Sequence, residues 1–406
     1  MALSAGQVGE TRQNGYFFNA EHRHLFSIFF ANFIVFGAGA IVIGATVPKI
    51  IRDFSWDYLI MGAVLAAGSI GYFGSTFLCG VLIHKWGPKK VIVSTLVLQA
   101  IGLAFFGLHP NVATNLLAIL LIGLGEGGTE VVTNFCVVRM EPAGQSRLMN
   151  LAHAAFPAGA IAASLGMGLL LEHGIAWQMM FRTLAVLCLL IAGALIFLSF
   201  STMQPEPRRE SSRATLLWLI RQPLLVLLAL VVFFYIGAEI GVSNWISEYY
   251  VQILEAPLSV GASMVSVLWC GLLCGRLLVS VGYRSDRQTP LLFGLTCLAT
   301  LSLGLALLMD TAWTAGLFFW GAGMGLSAIY PVVIVLVGQH FTREQGLAIG
   351  IVSTAGGVGS FLFPFVMSAI ADHFSMIAGF WFYVAVSAVM TLCAALVLLR
   401  IGLGEK

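Results

Sequence analysis

Apolar runs of about 20 residues recur along this chain from residue 25 to its end. A run of that length can cross the hydrocarbon core of a bilayer as a helix. Only 9% of the 406 residues are charged, against about 25% in soluble domains. The pattern predicts an all-α membrane protein with twelve transmembrane helices, at residues 25–50, 57–83, 89–109, 112–139, 146–171, 177–201, 223–250, 258–281, 289–309, 313–340, 346–371 and 376–401.

The basic residues predict how the spans are oriented. With twelve spans, 17 of the 20 Lys and Arg residues lie on the side of the membrane that holds both termini. Only Lys49, Arg52 and Arg182 lie on the other side. Because Lys and Arg concentrate in cytoplasmic loops, both termini are expected in the cytoplasm. The chain is expected to be a multi-pass protein of the plasma (cytoplasmic or inner) membrane. Because membrane topology explains the distribution of the basic residues, they give no reason to expect nucleic-acid binding. The expected partner is the lipid bilayer.

A polar linker at residues 202–222 divides the spans into two sets of six. It separates a bundle at 25–201 from a second bundle at 223–402, with tails at 1–24 and 403–406. A repeat of half the chain length predicts a duplicated six-helix unit. Secondary transporters built this way bind their substrate between the halves. The repeated features, at offsets of 198, 200 and 197 residues, are Gly123-x-Gly125-x-Gly127 with Gly321-x-Gly323-x-Gly325, Glu172-His173 with Asp372-His373, and Gly44 with Gly241.

Three acidic residues lie inside predicted spans. Glu126 and Glu130 are four apart in the glycine-rich fourth span, so they share a helix face that Asn134 continues. Glu239 lies in the middle of the seventh span. An ionised carboxylate facing lipid costs about 2.5 kcal/mol or more, so these side chains should face protein or a water-filled path. Each could carry a coupling proton; the alternative is a neutral carboxyl group that hydrogen bonds to a neighbouring helix.

Other polar and aromatic residues inside the spans could bind a small-molecule substrate. Trp245 could stack on the apolar face of a sugar ring, or belong to the aromatic belt at the membrane interface. His153 could titrate, or serve as an interior hydrogen-bonding group. The candidates for substrate binding are Asn32, Gln99, Asn134, His153, Tyr235, Asn244, Trp245 and Tyr330.

Enzyme and cofactor motifs do not occur in the sequence. It has no Walker-type phosphate loop, and no His/Glu cluster with the spacing of metal ligands. The seven cysteines are scattered through predicted spans without a CxxC pair, a pattern that favours packing over disulfides or a metal site. The expectation is a protein that is not an enzyme and holds no metal or cofactor, with a proton as its coupling partner.

Motifs along nearly the whole chain resemble those of the major facilitator superfamily. The second connection, Gly80-Val-Leu-Ile-His84-Lys85-Trp-Gly87-Pro-Lys89-Lys90, is similar to the signature G-x-L-x-D-R-x-G-R-[RK]-[RK]. Within the superfamily, the chain looks most like the fucose permease (fucose–galactose–gluconate:proton symporter) group. The stretches that carry this likeness are Gly123-x-Gly125-x-Gly127-x-x-Glu130-x-x-x-Asn134, Asn150-Leu-Ala-His153, Tyr235-Ile-Gly237-Ala-Glu239, Gly275-Arg276, Tyr330-Pro331 and Gly356-Gly357.

The resemblance implies a proton-coupled symporter of a small polar solute such as a sugar. It also implies that Glu130 is a protonation or sugar-contact site, with Asn134 and His153 beside it. His84 replaces the family's usual gate Asp, which leaves that latch missing or dependent on pH. Gly44 stands where a proton-coupled fucose permease has an Asp, so Glu239 is expected to supply the second carboxyl group.

The motif around the second connection is expected to act in gating, through Gly80, His84, Lys85, Gly87, Lys89 and Lys90. Arg276, at the end of the eighth span, is expected either to join this gate in an ion pair or to snorkel to the interface. We expect a monomer that works by alternating access.

Two other functions remain open. The lack of a carboxyl group at Gly44 favours an exporter or an uncoupled facilitator on the same fold. A non-transporting membrane sensor or scaffold would be a different class, although the short loops offer it little surface.

Overall fold

The computed structural model describes residues 20–140, 147–203, 213–282 and 287–404. These ranges hold fourteen α-helices and no strand. Helices α1 to α6 form the first half, α7 is a short helix in the linker, and α8 to α14 form the second half. In chain order they are Ala20–Phe54, Tyr58–Trp86, Pro88–Phe105, Val112–Met140, Arg147–Glu172, Gln178–Phe197, Arg213–Leu219, Pro223–Gln252, Leu258–Gly282, Gln288–Ala306, Ala312–Leu326, Ile329–His340, Gln345–His373 and Met376–Gly404.

Twelve helical segments are long and apolar enough to cross a membrane, so the predicted all-α fold with twelve spans is confirmed. Helices α11 and α12 together form the tenth span, Ala312–His340. Three boundaries differ by four or five residues from the prediction: α1 begins at Ala20 rather than residue 25, α3 ends at Phe105 rather than residue 109, and α6 ends at Phe197 rather than residue 201.

The two halves repeat one pattern of helix packing. In the first half, α1 packs against α5 and α6, α4 against α2 and α3, and α3 against α6. In the second half, α8 packs against α13 and α14, α11 against α9 and α10, and α10 against α14. The predicted duplication is therefore present in the packing of the helices.

Close approaches of glycine fix the register of this duplication. Gly123 lies against the backbone of Gly68, and its equivalent Gly323 lies against the backbone of Leu268. Gly125 packs on Gln99 in the way that Gly325 packs on Ala299. Equivalent residues in these helices are thus 200 positions apart. The predicted offset of 198 for the glycine motif was wrong, because a motif with glycine at every second position also matches itself after a shift of two.

The pairing of Gly44 with Gly241 was also wrong. Gly44 lies against Ser243 and Asn244, whereas Gly241 lies against the ring of Tyr383. Gly44 is therefore a contact between α1 and α8, at the boundary between the halves, and Gly241 is a contact inside the second half.

The halves meet along four helix pairs, α1 with α8, α2 with α13, α5 with α9 and, less extensively, α1 with α9. Close contacts occur toward the end of the bundle that lies away from the chain termini, which we call the distal end. There Ser247 Oγ donates a hydrogen bond to the Ala45 carbonyl (3.3 Å). Gly62 of α2 touches Ser368 of α13, and Gly168 of α5 touches a serine of α9. The distal end is closed.

Helices α2 and α13 no longer press together toward the end that carries the termini. Their contact continues to the middle of the bundle, where Ser69 Oγ donates to the Ser360 carbonyl (3.3 Å). Beyond it, Gly74 and Gly350 have no neighbouring heavy atom within 4 Å of the position a Cβ would take, and Phe77 is 77% exposed. The bundle therefore has a closed distal end and a looser end near the termini.

Candidate functional site

A chain of polar side chains crosses the first half near the middle of the bundle. The Tyr72 hydroxyl of α2 donates a hydrogen bond to Glu130 of α4. Asn134, one turn along α4, is within hydrogen-bonding reach of Glu130. Its Oδ1 lies 3.1 Å from Nε2 of His153 on α5. Three helices thus hold one phenol, one carboxyl group, one carboxamide and one imidazole next to one another.

The second half presents a matching set of polar groups. The Tyr235 hydroxyl of α8 is within hydrogen-bonding reach of both Glu239 and Arg276. The hydroxyl of Tyr330 on α12 lies 2.7 Å from Ser353 Oγ on α13. With equivalent residues 200 positions apart, Tyr330 corresponds to Glu130 and Ser353 corresponds to His153. The two halves therefore place different chemistry at equivalent positions.

The two sets are close enough to interact electrostatically across the halves. Tyr330 interacts with Glu130, and Arg276 interacts with His153. We refer to Tyr72, Glu130, Asn134, His153, Tyr235, Glu239, Arg276, Tyr330 and Ser353 as the central cluster. It brings six of the eleven predicted coupling and binding residues, together with Arg276, into one region between the halves.

Arg276 is placed differently from the sequence expectation. It lies six residues before the end of α9, and its Nε donates to the Ser327 carbonyl (3.0 Å). That carbonyl is available because Pro331, four residues later, has no N–H to donate to it, and the same proline interrupts the tenth span between α11 and α12. Arg276 therefore caps α11 and brings a cation beside Glu239, where the sequence gave no sign of a basic residue.

Aromatic rings give the central cluster apolar walls. Phe156 of α5 packs against Trp269 of α9 across the halves, with ring centroids 5.3 Å apart. Phe36 stacks on Tyr72 at 6.3 Å, and Phe33 lies 4.9 Å from His153. Sites for small ligands combine such apolar walls with a few placed polar groups.

Four of the predicted binding residues lie elsewhere. Trp245 is fully buried at the distal end and packs edge-on against Tyr58 at 5.8 Å, and Asn244 lies there against Gly44. Asn32 donates to Thr133 Oγ1 (3.2 Å) inside the first half. Gln99 lies deep in the same half and is 2% exposed. Glu126, a candidate for proton coupling, lies there too and is 8% exposed. The positions of these side chains depend on helix rotation, which apolar periodicity leaves undetermined in spans that are apolar all round.

Several residues of the site and of the distal contact were not identified in the sequence. Glu248 is fully buried near the distal end of α8 and accepts a hydrogen bond from the Tyr58 hydroxyl of α2 (3.1 Å). The argument that selected Glu239, an acid inside a span, applies equally to Glu248. Tyr72, Ser353, Phe156 and Trp269 carry no comparable signal, because tyrosine, serine and aromatic residues are common in membrane helices.

In the predicted gating motif, one lysine reaches a neighbouring helix. His84 is exposed, and its Nδ1 lies 3.1 Å from the Gly80 carbonyl of its own helix. Lys89 Nζ instead donates to the carbonyls of Ile196 (2.6 Å) and Leu198 (2.9 Å) at the end of α6, where a cation is favoured by the helix dipole. The connection turns at Gly87, with φ +79°.

The gating motif lines an open cavity of about 480 Å³ at the end that carries the termini. The lining residues are His84, Lys85, Trp86, Gly87, Pro88, Lys89, Lys90, Phe200 and Ser201.

Within the described ranges, no three His, Cys, Asp or Glu side chains group closely enough to hold a metal ion.

Comparison with known proteins gives a consistent assignment. The family model described as Major Facilitator Superfamily matches residues 28–341 and 321–402. An uncharacterized MFS-type transporter, YfkL of Bacillus subtilis (strain 168), is 22% identical over 91% of this chain and 95% of its own. A protein TsgA homolog of Edwardsiella ictaluri (strain 93-146) is 23% identical over 85% of this chain and 88% of its own.

Solved structures show the same fold. The nucleoside transporter NupG superposes with a TM-score of 0.79 at 14% identity, covering 92% of this chain and 99% of that one. A D-xylose-proton symporter gives 0.73 at 17% identity, with 92% and 97% covered. The transporter FucP in its outward conformation gives 0.63 at 18% identity, with 92% and 98% covered.

Proposed function

Since this chain belongs to the major facilitator superfamily, we propose that it carries a small polar solute across the membrane by alternating access, in symport with protons. The observation that supports this most is the central cluster. It places one carboxyl group from each half, Glu130 and Glu239, where the halves meet. A site between two duplicated halves is the position at which such carriers bind their cargo.

The solute class follows from the walls and polar groups of the cluster. Hydroxyl, carboxamide, imidazole and guanidinium groups there can bond to hydroxyls and ring nitrogens of a solute. The rings of Phe156 and Trp269, which pack against each other across the halves, make one wall apolar. A sugar or a related polyhydroxy compound combines a polar edge with an apolar face and fits both features.

Glu130 is the proposed site of proton coupling. Its partners, Tyr72 and Asn134, can donate to the ionised carboxylate, and protonation removes a charge before the site closes. A charge inside the membrane is costly, so the protonated carrier reorients more readily. Glu239 has the cation of Arg276 beside it, whereas the partners of Glu130 are uncharged, and for this reason we assign the coupling proton to Glu130.

We further propose that the end carrying the termini faces the cytoplasm and that the carrier works as a monomer in the plasma membrane. The sequence assigns 17 of the 20 basic residues to that side of the membrane, and of these Arg276 lies in the central cluster. The closed distal end then corresponds to a carrier whose site is reached from the cytoplasm.

The proposal is tested with purified protein in proteoliposomes. Sugars, nucleosides and organic acids are first screened by thermal shift, since a ligand that binds the folded state raises its apparent stability. Compounds that protect are tested for counterflow and for uptake driven by an inward proton gradient. We expect at least one polyhydroxy solute to show both. Counterflow without a response to pH would identify a facilitator, and no counterflow of any solute would favour a sensor or scaffold.

The hydrogen bond from Tyr58 to Glu248 should hold the distal end closed. Tyr58→Phe removes it, and a lost hydrogen bond of about 1 kcal/mol shifts a two-state equilibrium about fivefold. We expect faster labelling, from the distal side, of a cysteine introduced as Ser263→Cys in a background without native cysteines. The control is Tyr249→Phe, whose hydroxyl has no hydrogen-bond partner among the described residues. Equal labelling of both variants would show that the bond does not hold the gate.

A further inference from the structure

Two buried polar atoms in the first half face the same place. Gln99 on α3 is 2% exposed and Glu126 on α4 is 8% exposed. Within the described part of the chain, neither Gln99 Nε2 nor Glu126 Oε1 has a hydrogen-bond partner. Buried polar groups in proteins are almost always paired with protein or ordered water, so this pair calls for a partner.

Both atoms lie beside Gly39 of α1. A Cβ at this position would come within 2.9 Å of Glu126 Oε1 and 3.3 Å of Gln99 Nε2. Apart from α1 itself, no other described heavy atom lies within 4 Å of that point. Gly37 and Gly44 in the same helix instead press on the backbone of neighbouring helices. Helix packing explains those two glycines, whereas the neighbours of the Cβ position at Gly39 are two polar side-chain atoms.

The second half has apolar residues at the equivalent positions. Gly159 packs on the Ile34 carbonyl as Gly359 packs on the Phe233 carbonyl, which makes Ala238 the equivalent of Gly39. With the offset of 200 found for α3 and α4, Gln99 and Glu126 correspond to Ala299 and Leu326. All three counterparts are buried. The fold itself therefore does not require a polar group or a glycine here.

We propose that Gly39, Gln99 and Glu126 form a binding site for one water molecule inside the first half. An amide N–H and a carboxyl oxygen directed at one place are a donor and an acceptor, and water can bond to both at once. A cation would face the amide hydrogens of Gln99 and is disfavoured. The water holds the Glu126 side chain against Gln99, next to the central cluster, where Glu126 interacts electrostatically with Glu130, and Glu126 has a structural role.

The site is independent of the solute that the protein carries, and a density map of the wild-type protein that resolves ordered waters tests it directly. We expect a peak at about 2.7–3.2 Å from both Gln99 Nε2 and Glu126 Oε1. A direct hydrogen bond between the two side chains, with no peak, would overturn the proposal.

A thermal-melting cycle gives a second test that does not depend on resolution. Gln99→Leu and Glu126→Leu should each lower the melting temperature, because each leaves one polar group and the water without a partner. The double variant, which matches the apolar second half, should lose clearly less than the sum of the two. Additive losses would contradict a shared water. Gly39→Ala should lower the melting temperature too, while Gly193→Ala, which meets nothing within 4 Å, serves as the control.

Discussion

Glu130→Gln is expected to abolish accumulation of the solute against its gradient while exchange of the solute continues. Glutamine keeps the shape of the side chain and can still accept the hydrogen bond from Tyr72, but it cannot release a proton. One proton moved down a potential of 100 mV supplies about 2.3 kcal/mol, which supports about 50-fold accumulation at 1.36 kcal/mol per tenfold. We expect that ratio to fall to about 1 in proteoliposomes with an imposed gradient.

The matched controls are Glu126→Gln and Glu239→Gln. Glutamine at position 126 can still bond to the proposed water, so accumulation should persist. If accumulation survives in Glu130→Gln and is lost in Glu239→Gln, the coupling proton belongs to the second half and our assignment is wrong. Counterflow measured on the same vesicles separates lost coupling from lost protein.

Arg276→Met is expected to cause a large loss of stability. The change leaves Glu239, which is 6% exposed, without its neighbouring cation and leaves the Ser327 carbonyl without its donor. A buried carbonyl left without its donor costs about 1–3 kcal/mol, and the loss of the nearby cation adds to this because an opposite charge stabilises an ionised carboxylate. The apparent melting temperature of the purified protein should fall accordingly.

Two further variants separate the two roles of Arg276. Arg276→Lys keeps the charge but loses the Nε–H that reaches Ser327, so it should restore stability only in part. Adding Glu239→Gln to Arg276→Met removes the uncompensated charge and should recover part of the loss. A double variant no more stable than Arg276→Met would show that Glu239 does not depend on the arginine.

The spans could be predicted because the length of an apolar run sets what can cross a bilayer. The break in the tenth span also had a signal, since Pro331 removes a helical hydrogen bond to Ser327. It was missed because the apolar run continues unbroken from residue 313 to 340. Hydropathy indicates which segments can lie in the membrane. It gives no information on which backbone hydrogen bonds form within a segment.

The site was harder to predict than the fold. Glu130, Asn134 and His153 were expected together and lie side by side, with Asn134 hydrogen bonded to His153 and within reach of Glu130. Trp245 lies in the distal contact instead, because the side of a uniformly apolar helix that meets the other half is set by packing with partners far away in sequence. Arg276 and Glu239 meet for the same reason, through the fold of α8 and α9.

The break between α11 and α12 gives the two sides of the central cluster different mechanics. Helix α4 is continuous over 29 residues, so Glu130 and Asn134 move together as parts of one stiff rod. The equivalent span in the second half is interrupted at Ser327–Ala328, between α11 and α12. Arg276 hydrogen bonds to the end of α11, and Tyr330 lies on α12. The second half therefore contains one joint between its polar groups, whereas the first half holds Glu130 and Asn134 at a fixed spacing on one helix.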